Sequence, residues 1–141
     1  MNKNRLKIIG DIMLDEWIFG KNTKKSSEAN IDIFENINSK KSLGGVGNLC
    51  QNLKSLGVNF ELFSEIGDDS NGKILKKILN EKNIKHNLLN KKRYTTSKKR
   101  YLTDNQQIFR EDIENVSINK SVGQIFLKKI RKNDIVIISD Y

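Results

Sequence analysis

Short apolar runs that alternate with helix-like segments are the feature that most limits how this sequence can fold. Leu6 to Gly10 and Ile135 to Ile138 are almost continuously apolar, which is typical of strands buried in a parallel sheet. Further strands are predicted at 59–66 and 84–89. Helices are predicted between the strands, in the segments 44–57, 70–82 and 121–131, with Ser70 or Asn71 as the cap of the second. Strands alternating with helices predict an α/β fold with a largely parallel sheet.

Other strand-like segments carry too many polar side chains for a buried layer. Residues 31–37 mix isoleucines with polar residues, and 95–102 and 107–113 are separated by Asp104 and Asn105, which suit a tight turn. We therefore expect these segments, about 31–37 and 95–113, to form a separate small sheet with one face in solvent.

The amino-acid composition excludes several classes of function but does not identify a single one. The 141 residues are enough for one domain, and their net charge of +9 suits an anionic partner. The basic residues are scattered in pairs and match no nucleic-acid reader motif, so a phosphorylated small molecule is favoured over nucleic acid. One cysteine and one histidine exclude an internal disulfide and the usual metal clusters. No signal peptide or apolar span is apparent, so a cytoplasmic location without a membrane is expected.

Three groups of residues have side chains or backbones suited to binding a ligand. The stretch GGVGN, Gly44 to Asn48, opens a predicted helix, where glycines admit a ligand to free N–H groups; a tight loop needing positive φ is the alternative. Asp11 and Asp15 follow the first strand and suit sugar hydroxyls or helix capping. Lys98, Arg100 and Arg110 could clamp a phosphate or simply form an exposed basic face.

Taken together, several segments resemble the PfkB, or ribokinase-like, sugar kinases. The segments, in family order, are GDIMLD (10–15), SSEANIDIF (26–34), LGGVGNLCQNLKSLG (43–57), IGDDSNGKIL (66–75), TTSKKRYLTDNQQIFREDIE (95–114) and ISDY (138–141). Within the family they are most similar to the kinase domain of the heptose 7-phosphate kinase/adenylyltransferase proteins. The NQQ…R…D…E stretch with SDY is the specific part of this resemblance. It implies a ribokinase-like parallel sheet flanked by helices, with the polar strands as a small β lid.

The resemblance implies a sugar-phosphate site and a reaction. Asp15, Gly44, Gly45 and Asn48 would hold sugar hydroxyls, and Asp140 would face the same sugar. The candidates for the sugar phosphate and the lid contacts are Lys98, Arg100, Gln106 and Arg110. The reaction implied is ATP- and Mg²⁺-dependent phosphorylation of D-glycero-β-D-manno-heptose 7-phosphate at C1, and the lid sheet implies a possible homodimer.

The resemblance also implies what these residues lack. Family members carry a GAGD-like segment, whose aspartate is the general base, together with most of the ATP pocket, and neither is found in residues 1–141. We therefore expect the N-terminal part of a kinase domain, with no catalytic residue, no ATP or Mg²⁺ held by it alone, and no turnover. Open alternatives are another PfkB sugar kinase, a non-catalytic phosphosugar-binding or oligomerising remnant and, last, a basic nucleic-acid binder.

Overall fold

The computed structural model describes residues 6–114 and 121–140; Tyr141, the last residue of the ISDY segment, lies outside these ranges. The chain forms two four-stranded sheets within the described ranges. In chain order the elements are β1 Leu6–Gly10, β2 Ile12–Lys25, β3 Asp32–Gly45, α1 Val46–Ser55, β4 Phe60–Gly67, α2 Ser70–Glu81, β5 His86–Lys91, β6 Ser97–Thr103, β7 Gln106–Ile113, α3 Ser121–Lys129 and β8 Ile135–Ser139.

The main sheet is parallel and has the strand order β5-β4-β1-β8. One face is packed by α1 and α2, whose apolar side chains join those of the sheet in a single core. That core contains Ile8, Leu62, Val46, Cys50, Leu75 and Leu79, all fully buried. On the opposite face α3 covers β4, and Phe126 meets Phe63 edge-on with ring centroids 5.1 Å apart. The α/β fold with a parallel sheet flanked by helices is thus confirmed.

The second sheet has the order β3-β2-β6-β7 and contains both polar strand segments expected from the sequence. Its strands pair antiparallel except for β2 and β6, which are parallel. Asp104 and Asn105 have φ of 49° and 64° and turn the chain between β6 and β7, as predicted. The strand β2 was not predicted, because charged residues, Gly20 and two register shifts against β3 break the alternation that would reveal it.

Two other details differ from the sequence expectations. The cap of α2 is Asp69 rather than Ser70 or Asn71, and its side chain accepts a hydrogen bond from Gly72 N at 2.8 Å. The strand β8 is not buried: Ile135 and Ile138 are 57% and 74% exposed, because β8 is an edge strand that α3 does not cover in the described part of the chain. None of the helices in the described ranges is long and apolar enough to cross a membrane.

Asp69 also joins the main sheet to the segment that leads into the second sheet. Its carboxylate accepts hydrogen bonds from Thr95 N at 2.9 Å and from Thr95 Oγ1 at 2.6 Å. Thr95 is buried, and its hydroxyl oxygen accepts from Gly67 N at 2.8 Å. Burial raises the pKa of Asp69, but the hydrogen bonds from Thr95 and Gly72 outweigh it and hold that pKa below its usual range.

Candidate functional site

The candidate site lies at two neighbouring junctions, the one between β1 and β2 and the one between β3 and α1. A single residue, Asp11, separates β1 from β2, and its carbonyl oxygen accepts a hydrogen bond from Val46 N at 3.0 Å. The antiparallel pairing of β2 with β3 places Met13 opposite Gly44 and Asp15 opposite Ser42. The carboxylate of Asp15 is therefore held beside the glycines that precede α1, although Asp15 belongs to a strand rather than to the loop expected from the sequence.

The two glycines are required by close contacts at this junction. A Cβ atom on Gly44 would lie 2.5 Å from Asp15 Oδ2. Gly45 caps α1 with a φ of 56°, and a Cβ there would lie 2.3 Å from the carbonyl oxygen of Asp11. Gly45 supplies no side-chain cap, the first turn of α1 carries no acidic residue, and Asn48 is exposed there. The start of α1 is thus open to a polar ligand beside Asp15.

Arg100 is held against Asp15 by two contacts. Arg100 Nη1 donates to Asp15 Oδ1 at 2.9 Å, and the two side chains are only 23% and 17% exposed. The guanidinium also lies over the ring of Trp17, 5.2 Å from its centroid. Trp17 was missed by sequence reasoning; recognising β2 as a strand would have placed it on the same face as Asp15, two residues away.

Lys98 and Arg110 meet at a different carboxylate, Asp112. Lys98 Nζ lies 3.2 Å from Asp112 Oδ2 and 3.0 Å from Glu114 Oε1, while Arg110 Nη2 lies 2.9 Å from Asp112 Oδ2. The hydrogen bond to Glu114 raises the pKa of Lys98. Burial raises the pKa of Asp112, but Lys98 and Arg110 together lower it below its usual range. The side chains of Lys98 and Asp112 therefore both stay charged at neutral pH.

The cationic cluster is thus neutralised by acids of the same sheet. Lys98, Arg100 and Arg110 face Asp15, Asp112 and Glu114, so three positive charges meet three negative ones. Register places Arg100 directly opposite Arg110 and Lys98 opposite Asp112, which puts all of them on one face of the sheet. An incoming phosphate would have to replace Asp112 or Glu114 as a partner of Lys98.

The two remaining candidates lie apart from this cluster. Gln106 is exposed at the β6–β7 turn, opposite Thr103, five residues along β6 from Lys98, or about 17 Å at the usual rise per residue. Asp140 follows β8, which pairs with β1 so that Ser139 lies beside Gly10. Asp140 is therefore near Asp11, at the junction of β1 and β2, and away from Lys98, Arg100 and Arg110.

The opposite face of the second sheet carries an aromatic cluster. Phe34 and Tyr101 meet edge-on with centroids 5.5 Å apart, and Tyr101 lies 5.5 Å from Phe109. Gly20 makes this possible, because a Cβ there would lie 2.3 Å from the ring of Phe34. Phe109 is 59% exposed, and Ile37 on the edge strand is equally exposed. This face also carries the Lys99–Glu111 ion pair, and the Tyr101 hydroxyl donates to Glu111 Oε2 at 3.1 Å. The aromatic cluster is thus an apolar patch beside charged residues, on the face opposite Lys98, Arg100 and Arg110.

No group of three or more histidine, cysteine or acidic side chains suited to a metal ion occurs in residues 6–114 and 121–140. Cys50 offers no reactive group either, since burial raises the pKa of its thiol to about 12.

Comparison with known proteins identifies the family. Residues 3–140 match the model of the pfkB family carbohydrate kinases. The chain is 35% identical over 144 aligned positions to a protein of Nitratiruptor sp. named "Bifunctional protein HldE", covering 99% of this chain and 31% of that protein. The chain thus spans about a third of the length of that relative.

Solved structures share the fold at low identity. Phosphofructokinase-2 from Escherichia coli in complex with fructose-6-phosphate superposes with a TM-score of 0.74 at 15% identity, over 96% of this chain and 45% of that one. The tetrameric inhibited form of the same enzyme gives a TM-score of 0.75 at 16% identity, over 97% and 45% of the two chains. With the two-sheet architecture and the family match over nearly all residues, the chain belongs to the pfkB family of carbohydrate kinases.

Proposed function

We propose that this chain forms the sugar-binding, N-terminal part of an ATP-dependent kinase domain that acts on a heptose 7-phosphate. The reaction would phosphorylate D-glycero-β-D-manno-heptose 7-phosphate at C1 to the 1,7-bisphosphate, which feeds ADP-heptose and lipopolysaccharide core synthesis. The observation that carries this proposal is the Asp15–Arg100 pair beside Gly44 and Gly45 at the start of α1. The NQQ…R…D…E stretch and the relative named as a bifunctional HldE protein support the choice of sugar.

The site offers two kinds of contact to a phosphorylated sugar. The Asp15 carboxylate accepts hydrogen bonds from sugar hydroxyls, the bare backbone of Gly44 and Gly45 allows close approach, and Asn48 adds an exposed amide. Arg100 is fixed by Asp15 and Trp17 and points its remaining donors at a ligand on the same face.

The phosphate group would bind through an exchange of partners. In this proposal the phosphate takes the place of Asp112 on Lys98 and Arg110, and the displaced carboxylates turn to solvent. Asp140 would contact the sugar from the β8 side of the junction, and Gln106, at the hairpin turn, would contribute only when that turn approaches the bound ligand.

In this proposal these residues supply neither the general base nor the contacts to ATP and Mg²⁺ that the kinase reaction needs. ATP would provide the transferred phosphoryl group and Mg²⁺ would neutralise its charge, but the described residues hold no metal cluster and we assign them no such contact. The part played by this chain is to bind and orient the sugar. A polypeptide of these 141 residues is accordingly expected to bind the sugar phosphate without turning it over.

The aromatic cluster supports a second element of the proposal, a homodimer through the second sheet. Phe109 is exposed beside the half-buried rings of Phe34 and Tyr101, and this patch is suited to a second copy of the same face. This surface would serve equally in the alternative function, a phosphosugar-binding or oligomerising protein without catalysis. Bisphosphate formation by a longer protein that contains this chain separates the two functions, since only the kinase produces it.

The binding proposal is tested by calorimetry with matched variants. We expect heptose 7-phosphate to bind more tightly than fructose 6-phosphate, and Asp15→Asn to weaken it by at least about tenfold. Asp32→Asn, at the exposed start of β3, removes the same charge away from the site and should change affinity less than about twofold. Equal affinity for the two sugars would point to another pfkB sugar kinase. An equal effect of the two variants would show that Asp15 does not touch the sugar.

A further inference from the structure

A second cluster of cations lies at the other end of the main sheet, on the face that α3 covers. It surrounds a cavity of about 310 Å³ lined by Lys7, Glu61, Lys85, Lys128, Lys129 and Arg131. Lys7 is near the start of β1, four residues before Asp11, so the cavity is about 13 Å along the strand from the sugar site. No residue of the proposed sugar site lines this cavity.

The wall formed by the sheet is a buried ion pair. Lys7 and Glu61 lie opposite each other on β1 and β4, are 4% and 8% exposed, and are joined by a 2.6 Å contact between Lys7 Nζ and Glu61 Oε2. The other oxygen of Glu61 accepts from Asn87 at 2.9 Å and faces Lys85 Nζ at 3.3 Å. Glu61 thereby faces three donors, and its single negative charge is shared between Lys7 and Lys85.

The opposite wall comes from α3 and the residues that follow it. Lys129 Nζ donates to Asn87 Oδ1 at 2.8 Å, so one amide connects the helix wall to Glu61. Phe126 on Phe63 fixes the helix over the sheet. Neither Lys128 nor Arg131 has a side-chain hydrogen bond or ion pair with the described part of the chain.

The charge of this cavity is far from balanced. Five basic side chains and one carboxylate, that of Glu61, line the cavity, so its net charge is +4. The cluster of Lys98, Arg100 and Arg110 on the second sheet is instead balanced by three carboxylates. The helix dipole of α3 stabilises the positive charges of the lysines in its last turn. It does not account for the positive charges of Lys7 and Lys85, which lie outside α3. Lys85, Lys128, Lys129 and Arg131 are exposed, so the cavity is open to solvent on this side. A positive excess of this size around one open cavity is suited to a multivalent anion.

We propose that this cavity is an anion site for a diphosphate group, either free pyrophosphate or the diphosphate of a nucleotide such as ADP. Lys85, Lys128 and Arg131 would contact the anion directly, and Lys7 would add its charge from the buried pair. The negative charge of a diphosphate is large enough to balance the excess positive charge of the cavity, and the group is small enough to fit the cavity volume. This site is separate from the sugar site and does not depend on the proposed kinase reaction.

The test is titration of the purified protein with pyrophosphate, followed by calorimetry and by amide NMR shifts, at about 150 mM salt to suppress weak surface binding. The variant K128A/R131A breaks no side-chain hydrogen bond or ion pair with the described residues and should weaken binding at least about tenfold. The control K73A/K76A removes two exposed lysines of α2 that likewise have no side-chain hydrogen bond or ion pair within residues 6–114 and 121–140, and it should change affinity less than about twofold.

Each outcome decides the proposal. Shifts at Lys85 and Asn87 that saturate with pyrophosphate and disappear in K128A/R131A support it. Absence of binding, equal losses in the two double variants, or shifts confined to Lys98 and Arg100 would overturn it. Titration with ADP distinguishes the two sources: affinity equal to that of pyrophosphate indicates the free anion, and markedly tighter binding indicates a nucleotide.

Discussion

Glu61→Gln preserves the size of the side chain but removes the negative charge that Lys7 and Lys85 face. Burial alone would raise the pKa of Glu61, but hydrogen bonds from Lys7, Asn87 and Lys85 lower it from 4.5 to about 2. At about 1.4 kcal/mol per pKa unit, this shift corresponds to roughly 3 kcal/mol of folding stability. Glu61 is 8% exposed, so solvent screening does not reduce this figure much.

The sign of the pH dependence follows from the lowered pKa. The folded state holds the ionised carboxylate more strongly than the unfolded chain does, so the stabilisation is complete above pH 4.5 and is lost as the pH falls toward 2. We expect wild type to exceed Glu61→Gln by roughly 3 kcal/mol at neutral pH and by less than half of that near pH 3.

The assay is urea unfolding of both proteins, followed by circular dichroism at each pH. Other carboxylates titrate equally in both proteins, so their effects cancel in the difference. Glu81→Gln is the control, because Glu81 is 61% exposed and 3.8 Å from Lys77; it should cost no more than about 0.5 kcal/mol. The reasoning is refuted if the two variants lose the same stability at neutral pH, or if the loss in Glu61→Gln does not depend on pH.

The remaining predictions concern Asp69 and Cys50. Asp69→Ala removes the cap of α2 and both hydrogen bonds to Thr95, and should lower the free energy of unfolding by about 2 kcal/mol, whereas Asp68→Ala should cost much less in the same urea titration. The Asp69 pKa is lowered, so this difference should shrink as the pH falls below 3.8; a constant difference would contradict the assignment. Cys50 is fully buried with a pKa raised to about 12, so a thiol reagent at pH 8 should label it only after urea unfolding; rapid labelling of the folded protein would contradict the core position.

Local sequence patterns predicted the main sheet well. The runs that form β1 and β8 are short and mostly apolar, β4 is rich in phenylalanine, leucine and isoleucine, and α1 and α2 have apolar residues at helical spacing. Element type therefore followed from local pattern. Burial of β8 could not be predicted in this way, because exposure of Ile138 depends on which layers cover the edge of the sheet and not on the strand itself.

The candidate site was predicted in composition but not in arrangement. Asp15, Gly44 and Arg100 do meet, but the contact joins residues 85 positions apart and depends on the register of β2 with β3 and β6. No local pattern contains that register. For the same reason sequence reasoning missed Trp17, and it could not foresee that Asp112 would neutralise Lys98 and Arg110.

The two ends of β2 stand in different surroundings. Ile12 and Leu14, at its start, are buried in the same core as Ile8 of the main sheet. The strand continues for 14 residues, about 45 Å at the usual rise per residue, and ends in the exposed residues 21–25, which pair with β3 alone in the described part of the chain. Asp15 therefore belongs to the end of the strand that the main core holds in place, and the outer end depends on its pairing with β3.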